Sequence, residues 1–450
     1  MFDAVGRQVT MIDPMGNSSQ SIFDAAGRLS VSIDPLLKRT TYSHDAVGNT
    51  VTVMDARGNV TTSVYDAVNR LQASVDQLGN RTTYTFDAVG NNTVIKDARN
   101  GLITMSYSAR NEMVSIVDQI GNITTYTFGS LGQRATRQFP LTDITTYTYD
   151  ALQRLVTIQY NGGTLVTYGY DALGNRTTMQ DSTGTTTYTF DALSRLTGKT
   201  DPGTLVQAYT FDAVGQRTKL VDPDGGVRTW TYDNDGNQTL AIDPAGKRTT
   251  FEFDIASRLT TVTDHSGDVE AFSYDANSQL TTQVRTLAGT KTTMIDGYDA
   301  VGNRVTRNTD GALTTWVYDA ANRLTNQQLA SAFTTFTMDE VGNVTVKNQQ
   351  GSTRYTMTYN AAQQLTTMLQ GTNRTTFTFD LNGNLTLEWL STTRTTYTFD
   401  KENRLTGQQV GATQKWTYTF DGDGQRRTAH DNGGTLRTMI WDGTDYLGEV

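Results

Sequence analysis

The sequence predicts an all-β repeat protein, and three observations lead to that prediction. An aromatic residue followed by Asp returns every 20 or 21 residues along almost the whole chain. A second Asp-containing turn sequence follows each pair after roughly ten residues, which leaves strand-length segments between turns. Within those segments aromatic residues alternate with Thr, whereas no segment sustains the 3.6-residue period of a helix.

The aromatic–Asp pairs define the repeat, and we take them as the candidate structural sites. A fixed period of this size indicates a repeat architecture, so residues 1–450 are predicted to form one continuous array of about 22 repeats without a separate catalytic or toxin domain. The pattern drifts at Tyr107-Ser108 and Phe128-Gly129. The clearest pairs are Tyr65 and Asp66, Phe86 and Asp87, Tyr149 and Asp150, Tyr170 and Asp171, Phe190 and Asp191, Phe211 and Asp212, Tyr232 and Asp233, Phe253 and Asp254, Tyr274 and Asp275, Tyr318 and Asp319, and Phe399 and Asp400.

Both turn sequences of the repeat have the chemistry of tight reversals. The second turn reads Asp-x-x-Gly, as in Asp76-Gln77-Leu78-Gly79. Asp accepts hydrogen bonds from the backbone N–H groups just ahead of it, and Gly supplies the positive φ that a reversal needs. Pro14, Pro35, Pro202, Pro223 and Pro244 each follow an Asp directly. Proline is therefore confined to turns, where its missing N–H removes no bond between strands.

Two architectures agree with two strands in each repeat. In an antiparallel hairpin meander the two strand types alternate across one sheet, while in a two-sided β-solenoid like strands of successive repeats stack in parallel. The tight Asp-x-x-Gly turns favour the meander, because hairpins need short reversals between neighbouring strands. Pairs such as Tyr84 and Phe86 lie two residues apart, so the aromatics occupy one face of the sheet and Thr the other.

Composition excludes several classes of function. The net charge is −9 and the Arg residues are scattered, whereas a nucleic-acid-binding surface needs a basic stripe. No apolar run reaches the length of a membrane span, and the amino-terminal residues do not have the pattern of a signal peptide. The chain contains no Cys, which rules out disulfides and thiolate-bound zinc.

No catalytic, cofactor-binding or metal-binding residue is predicted. The histidines His44, His265 and His430 are dispersed, and no protease, esterase or phosphate-loop motif occurs. Each turn offers about one carboxylate, whereas calcium takes six to eight oxygen ligands, so we interpret the Asp residues as turn formers. The Asn-x-Thr sequons arise from the repeat itself, and a glycosidase pair is not distinguished among so many equivalent Asp residues.

The chain resembles the YD repeats of the Rhs family. The segment YDALGNRTTMQDSTGTTTYTFDALSRLT at residues 170–197 shows the likeness most clearly, and similar segments cover essentially the whole chain. Members of that family occur in bacterial polymorphic toxins, in the C components of insecticidal toxin complexes, in wall-associated proteins and in teneurins. The resemblance implies a strip of β-hairpins that spirals into a hollow shell. The family's core segment, with its self-cleavage aspartates, and its toxin domain have no counterpart in this sequence.

Two functions remain open at this point. The resemblance implies a structural module of a secreted or cell-surface bacterial protein, without enzymatic activity, that encloses a toxin or other polypeptide together with neighbouring regions of a longer parent protein. The alternative is a cell-surface adhesion module whose exposed Thr, Asn and Tyr side chains bind glycans or a partner protein. No cofactor is expected for either function.

Overall fold

The computed structural model describes residues 1–449, and it contains strands joined by turns and no helix in that range. The first strands are β1 (Thr10–Ile12), β2 (Ser18–Phe23), β3 (Leu29–Ile33), β4 (Arg39–His44), β5 (Thr50–Met54), β6 (Val60–Tyr65), β7 (Leu71–Val75), β8 (Arg81–Phe86), β9 (Asn92–Lys96), β10 (Leu102–Tyr107), β11 (Met113–Val117), β12 (Ile123–Phe128), β13 (Arg134–Gln138) and β14 (Ile144–Tyr149). They continue as β15 (Leu155–Tyr160), β16 (Leu165–Tyr170), β17 (Arg176–Asp181), β18 (Gly184–Phe190), β19 (Leu196–Asp201), β20 (Leu205–Phe211), β21 (Arg217–Val221), β22 (Val227–Tyr232), β23 (Gln238–Ile242), β24 (Arg248–Phe253), β25 (Leu259–Thr263), β26 (Val269–Tyr274), β27 (Leu280–Leu287) and β28 (Thr290–Tyr298). The last are β29 (Arg304–Thr309), β30 (Ala312–Tyr318), β31 (Leu324–Leu329), β32 (Ala332–Met338), β33 (Val344–Gln349), β34 (Tyr355–Tyr359), β35 (Leu365–Gln370), β36 (Asn373–Phe379), β37 (Leu385–Leu390), β38 (Thr393–Phe399), β39 (Leu405–Val410), β40 (Gln414–Phe420), β41 (Arg426–His430), β42 (Leu436–Asp442) and β43 (Asp445–Glu449).

Strands that follow each other in the chain pair antiparallel. Ala73 of β7 lies opposite Thr83 of β8, and Tyr84 of β8 lies opposite Ile95 of β9. The same pattern recurs repeat after repeat, for instance between β15, β16 and β17. The predicted all-β hairpin meander is therefore confirmed. The solenoid alternative is wrong, because like strands of successive repeats are separated by a strand of opposite direction.

A meander places successive reversals at opposite edges of the strip. We call the edge formed by the turns that begin at an aromatic–Asp pair the YD-turn edge, and the opposite edge the second-turn edge. Most early second turns are the predicted four-residue kind, such as Asp76 to Gly79. From β27 to β33 they shorten to two-residue hairpins, as at Ala288-Gly289 and Asp310-Gly311, whose positive φ values suit the twist of the flanking strands.

The pairing register shifts by one residue at the YD turns of the strand pairs from β2–β3 to β20–β21. In β8 and β9, Thr85 lies opposite Val94, but the next residue, Phe86, lies opposite Asn92. One residue of the following strand is thus left unpaired, which is a β-bulge. The sequence analysis did not anticipate these bulges.

The two faces of the strip differ in exposure as the alternation predicts. All eleven aromatic residues of the candidate pairs are half-buried, whereas the residue just before the aromatic, usually Thr, is exposed in most repeats. On the exposed face, hydroxyl groups pair across strands, as in Thr127 with Thr136 at 2.6 Å and Thr419 with Thr428 at 2.6 Å. One face is therefore aromatic and the other is a hydroxyl-bearing surface.

The chain divides into two compact units, and each combines two separate stretches of the strip. The first unit contains Met1–Gly101 and Trp230–Tyr355, and the second contains Leu102–Thr229 and the chain from Thr356 onward. Within each unit the two stretches are about 240 residues apart in sequence, as the contacts below show. None of the described residues belongs to a helix suited to crossing a membrane.

Candidate functional site

Each candidate Asp begins a turn and supplies its hydrogen bonds. In the turn after Tyr149, the Oδ1 atom of Asp150 accepts bonds from the backbone N–H groups of Leu152 at 2.9 Å and Arg154 at 3.0 Å. The N–H of Asp150 in turn donates to the carbonyl oxygen of Arg154. The fourth residue, Gln153, has a φ of 63°, and Gly occupies this left-handed position in many of the other turns. All eleven candidate Asp residues donate the same backbone bond to the fifth residue of their turn.

Where the fifth residue of the turn is Arg, its side chain joins two repeats. Arg154 donates from Nε to Asp150 Oδ2 at 2.7 Å and from Nη1 to the carbonyl oxygen of Asp171 at 3.1 Å. Its guanidinium carbon lies 4.7 Å from the ring centre of Tyr170, whose hydroxyl donates to the carbonyl oxygen of Leu155 at 2.8 Å. We call the two hydrogen bonds and the stacked ring the arginine staple. It recurs at Arg258 with a Tyr ring, and at Arg70, Arg195 and Arg404 with a Phe ring.

Where the fifth residue is Asn, a shorter version of this connection forms. Asn175 donates from Nδ2 to Asp171 Oδ2 at 2.8 Å and to the hydroxyl of Ser194 in the next YD turn at 3.2 Å. Asn303 likewise reaches the side-chain oxygen of Asn322 at 2.9 Å. Neighbouring YD turns are therefore hydrogen-bonded to each other along the edge in both types of repeat.

The turns that begin at Ser108, Gly129 and Asn360 lack the Asp, and the first of them keeps the connection by different residues. Ser108 begins one of these turns and donates to Glu112 Oε2 at 3.0 Å. Arg110 lies 2.9 Å from Glu112 Oε1 and donates to the carbonyl oxygens of Gly129 at 2.7 Å and Ser130 at 2.8 Å. The carboxylate and the guanidinium have thus moved to other positions of the turn, while the bond to the next turn remains.

Removing one arginine staple is expected to destabilise the strip measurably. Arg154→Ala loses a carboxylate pair, a bond to the next turn and a stacked ring, so we expect unfolding to become easier by about 2 kcal/mol. Arg154→Lys keeps the charge without the planar fork, so its free energy of unfolding should lie between those of the wild type and Arg154→Ala. Urea unfolding followed by circular dichroism measures the difference. Arg81→Ala, at an exposed strand start, is the control, and an equal loss there would contradict a specific role for the staple.

The turn geometry lowers the pKa of many of the candidate carboxyl groups. Hydrogen bonds from the Arg154 backbone and side chain lower the pKa of Asp150. The side-chain amide of Asn175, followed by backbone N–H groups, lowers the pKa of Asp171. The pKa values of Asp66, Asp87, Asp191, Asp233 and Asp254 are lowered in the same way. The ionised form is therefore the one that the folded turns favour.

Acid is expected to destabilise the fold through these turns. A carboxyl whose folded pKa lies below its unfolded value stabilises the fold fully above the unfolded pKa, near 3.9, and loses that contribution as the pH falls through the folded pKa. The urea concentration at which half of the protein is unfolded should therefore fall steadily as the pH is lowered from 5 towards 2.5. This range extends about 1 pH unit or more on either side of the unfolded pKa. A midpoint that stayed constant or rose over this range would contradict the account.

In the first unit, the second-turn edge of residues 1–101 contacts the YD-turn edge of residues 230–355; we call this contact the first seam. Arg57 lies 3.4 Å from Asp299 Oδ2 and donates to the carbonyl oxygen of Asp319 at 2.7 Å and to Asn322 Oδ1 at 2.9 Å. Arg99 pairs with Asp339 at 3.1 Å, and Asn277 donates to Asp34 Oδ2 at 2.6 Å. Side chains of second turns thus bind between and beside YD turns.

The second unit contains an equivalent contact, the second seam, between residues 102–229 and residues 356–449. Arg176 binds both carboxylate oxygens of Asp423, at 2.8 and 2.6 Å. Arg137 donates to Glu402 Oε1 at 2.7 Å. Lys401 donates to Asp143 Oδ1 at 2.6 Å. The second seam therefore joins the two stretches mainly through ion pairs.

The centre of the second seam is a buried group of charges. Arg427 lies 2.7 Å from Asp201 Oδ1 and 3.4 Å from Asp421 Oδ2, and it donates to Thr186 Oγ1 at 2.6 Å. Lys199 lies 3.1 Å from Asp201 Oδ2. Two cations therefore face two carboxylates, all of them nearly removed from solvent. Burial of Asp421 raises its pKa, a change that the charges of Asp423 and Asp181 reinforce and that Arg427 opposes.

An apolar cluster lies beside these charges. Tyr160, Val166 and Met179 are buried together on the aromatic face. Gly422, in the YD turn of the other stretch, packs directly on Val166 and Met179, and its N–H donates to Asp181 Oδ2 at 2.6 Å. Gly stands here where most other YD turns have Ala. Close packing against the second stretch thus explains an exception to the repeat.

The candidate pairs and the seam residues are largely different sets. The structure places the candidate Asp residues along the YD-turn edge, and of these Asp319 also contributes a carbonyl oxygen to the first seam. Sequence reasoning missed Arg57, Arg176, Lys199 and Arg427. A partial signal existed for Lys199, because it lies opposite Tyr188 at a strand position where many other repeats have an apolar residue such as Ile158 or Met179, although Arg137 and Lys347 also occupy that position.

Among residues 1–449, no cluster of three or more His, Cys, Asp or Glu side chains could hold a metal ion. The carboxylates of the turns are bound by their own backbone or by Arg. What the geometry does provide is a set of bonds between neighbouring repeats and between separate stretches of the strip.

Comparison with protein families agrees with this geometry. The RHS repeat family model matches residues 65–102, 149–186, 170–206, 190–227, 211–248, 232–269 and 254–291. The chain contains RHS repeats. The repeats that the model matches contain the arginine staples of Arg70, Arg154, Arg195 and Arg258. No match was found among curated proteins.

Solved structures of similar fold come from toxin complexes. The crystal structure of TcdB2-TccC3 matches with a TM-score of 0.75 at 12% identity, over 98% of this chain and 30% of that one. The Tc holotoxin pore of Photorhabdus luminescens matches with a TM-score of 0.76 at 13% identity, over 97% of this chain and 27% of that one. The RHS-repeat chain therefore spans about 30% of the length of these proteins and has the fold of a structural repeat module.

Proposed function

We propose that this RHS-repeat chain is a wall segment that encloses and shields a polypeptide, without catalysing a reaction. The observation that carries the proposal is the way in which stretches of strip about 240 residues apart join edge to edge within each unit. A strip joined in this way forms a continuous barrier wider than a single row of hairpins. A barrier made of repeats suits a containing role, in which the surface matters more than any single site.

The chemistry of the seams supports this role. Ion pairs and backbone bonds close the gaps between hairpin ends, where a protease or water would otherwise pass between stretches. At Arg427 and Gly422 the contact between the two stretches is buried and close-packed. The matched toxin complexes support a partner that is a toxin polypeptide, and on this proposal the chain acts in a secreted or cell-surface assembly as part of a longer protein.

The proposal predicts that a tethered guest is protected from proteolysis. A disordered, protease-sensitive polypeptide joined after residue 450 should be cleaved at least several-fold more slowly than the same polypeptide joined to an unrelated all-β protein. Arg427→Ala, which opens the second seam, should restore rapid cleavage. Equal cleavage rates in the two fusions would contradict enclosure.

A second function, adhesion, has one observation in its favour. The exposed face bears regularly spaced hydroxyl groups, such as those of Thr148 and Thr398, and such groups can hydrogen-bond to sugars. Binding of the purified chain to a glycan array, abolished by replacing these Thr residues with Val, would favour adhesion over enclosure. The absence of glycan binding together with guest protection would favour the first proposal.

A further inference from the structure

Each unit leaves one edge of each kind outside its seam, and both remaining edges of the second unit carry exposed apolar side chains. The second seam uses the second-turn edge of residues 102–229 and the YD-turn edge of residues 356–449. The remaining YD-turn edge has an aliphatic residue at the third turn position in five successive repeats. These residues are 70–81% exposed: Leu131, Leu152, Leu173, Leu193 and Val214.

The remaining second-turn edge of the same unit carries exposed apolar side chains beside the exposed cations Arg374, Arg394, Lys415 and Arg437. Leu369, Trp389, Leu390 and Leu436 lie next to second turns and are 38–52% exposed. Successive repeats on either edge are separated by two strands, or about 9.6 Å. The two remaining edges thus present apolar groups at the same spacing.

The first unit indicates what the aliphatic residues at the third position of YD turns contact when they are removed from solvent. Val47, Val68 and Val89 occupy the third turn position on an edge outside the seam, and they are strongly exposed. Val301 occupies the same position on the edge within the first seam, where it is half-buried and lines a cavity with Leu36 of a second turn. A YD-turn edge is therefore the natural partner of a second-turn edge.

We infer that copies of this chain associate head to tail, the exposed YD-turn edge of one copy binding the exposed second-turn edge of the next. A partner for a row of groups about 9.6 Å apart needs the same spacing, and a second copy supplies it on its opposite edge. Repulsion between turn carboxylates is small, because Asp150 and Asp191 are already paired with Arg154 and Arg195.

The size of the contact predicts a reversible association. Each exposed aliphatic tip offers on the order of 100 Å² of apolar surface, so five tips and the facing edge bury on the order of 1,000 Å² in all. That area lies at the lower limit of specific protein interfaces. Because the two edges differ, the contact is heterologous, and each added copy exposes a new edge for the next.

Two variants, each blocked on one edge, test the inference. The first carries Leu152→Asp, Leu173→Asp and Leu193→Asp on the YD-turn edge; the second carries Leu369→Asp and Leu390→Asp on the second-turn edge. In sedimentation velocity, the wild-type chain should grow in mass with concentration from its monomer of 49.5 kDa. Each variant alone should remain monomeric. An equimolar mixture should form a one-to-one complex, because the first variant keeps an intact second-turn edge and the second variant keeps an intact YD-turn edge.

Several outcomes would overturn the inference. A wild-type chain that stays monomeric at all concentrations would do so, and so would a mixture of the two variants that does not associate. Self-association of the second variant alone would show that YD-turn edges pair with each other instead. Thr187→Asp with Thr396→Asp places charges on the exposed face in the middle of β18 and β38, away from the edges, and this control should associate like the wild type. Circular dichroism confirms that every variant retains its β-structure.

Discussion

Replacing Arg427 with Ala is expected to lower the free energy of unfolding of the second unit by about 3–5 kcal/mol. The substitution leaves Asp201 and Asp421 buried with only Lys199 to balance them, and it removes the donor to Thr186. Removing one partner of a buried ion pair costs far more than the pair contributes net, because the remaining charge stays desolvated. Urea unfolding monitored by circular dichroism measures the change.

Arg437 provides a matched control for Arg427. It also lies near two carboxylates, Glu449 at 3.0 Å and Asp431 at 3.7 Å, but about half of its side chain is exposed. Solvent screens such pairs, so Arg437→Ala should change the free energy of unfolding by less than about 1 kcal/mol. If the two substitutions had equal effects, burial in the second seam would not be the source of the stability.

Adding one methyl group at Gly422 is expected to destabilise the second unit by about 1–3 kcal/mol. A Cβ atom there would lie 2.5 Å from Val166 Cγ1 and 3.1 Å from Met179 Sδ. Those atoms belong to a buried cluster with little freedom to move. The backbone of Gly422 is not in the left-handed region, so the cost comes from packing between the two stretches.

A second substitution separates packing from other effects of Gly422→Ala. Val166→Ala creates space at the contact, so the double variant should be less destabilised than the sum of the single variants. Gly448→Ala is the control, because a Cβ atom at Gly448 would have no neighbour within 4 Å. Additive effects at Gly422 and Val166 would contradict the proposed contact.

Local structure could be predicted from the sequence because it repeats. Each Asp-x-x-Gly sequence specifies a turn and each Tyr-x-Phe alternation specifies a strand with one aromatic face. The strands, the turns and the aromatic face could therefore be predicted from the spacing alone. The bulge at Phe86 could not be predicted, because no residue type in the sequence marks Thr93 as the position without a partner across the strands. The arginine staple required knowing that Arg154 lies beside the next repeat, although the recurring Asp-x-x-x-Arg pattern pointed to it.

The seams were beyond prediction for a different reason. A periodic strip offers many nearly equivalent registers, and the sequence period does not say which stretch meets which. The register is recorded in departures from the repeat: Lys199 at a strand position that is apolar in many other repeats, Gly422 in place of Ala, and Arg57 and Arg99 at a turn position that is apolar in Leu78 and Ile120. Each exception is explained by a contact about 240 residues away, as in the bond between Asp181 and Gly422.

The central claim is that second turns bind YD turns across a seam of defined register, and a cysteine pair tests it directly. The chain contains no Cys, so Asp34→Cys with Asn277→Cys introduces a single possible cross-link at a contact of 2.6 Å. A short bis-maleimide should join the two within one chain, giving a product that migrates faster on a denaturing gel. Asp34→Cys with Ala256→Cys, one YD turn earlier and about 10 Å away along the edge, should cross-link poorly. Failure of the first pair, or equal cross-linking of both, would contradict the account.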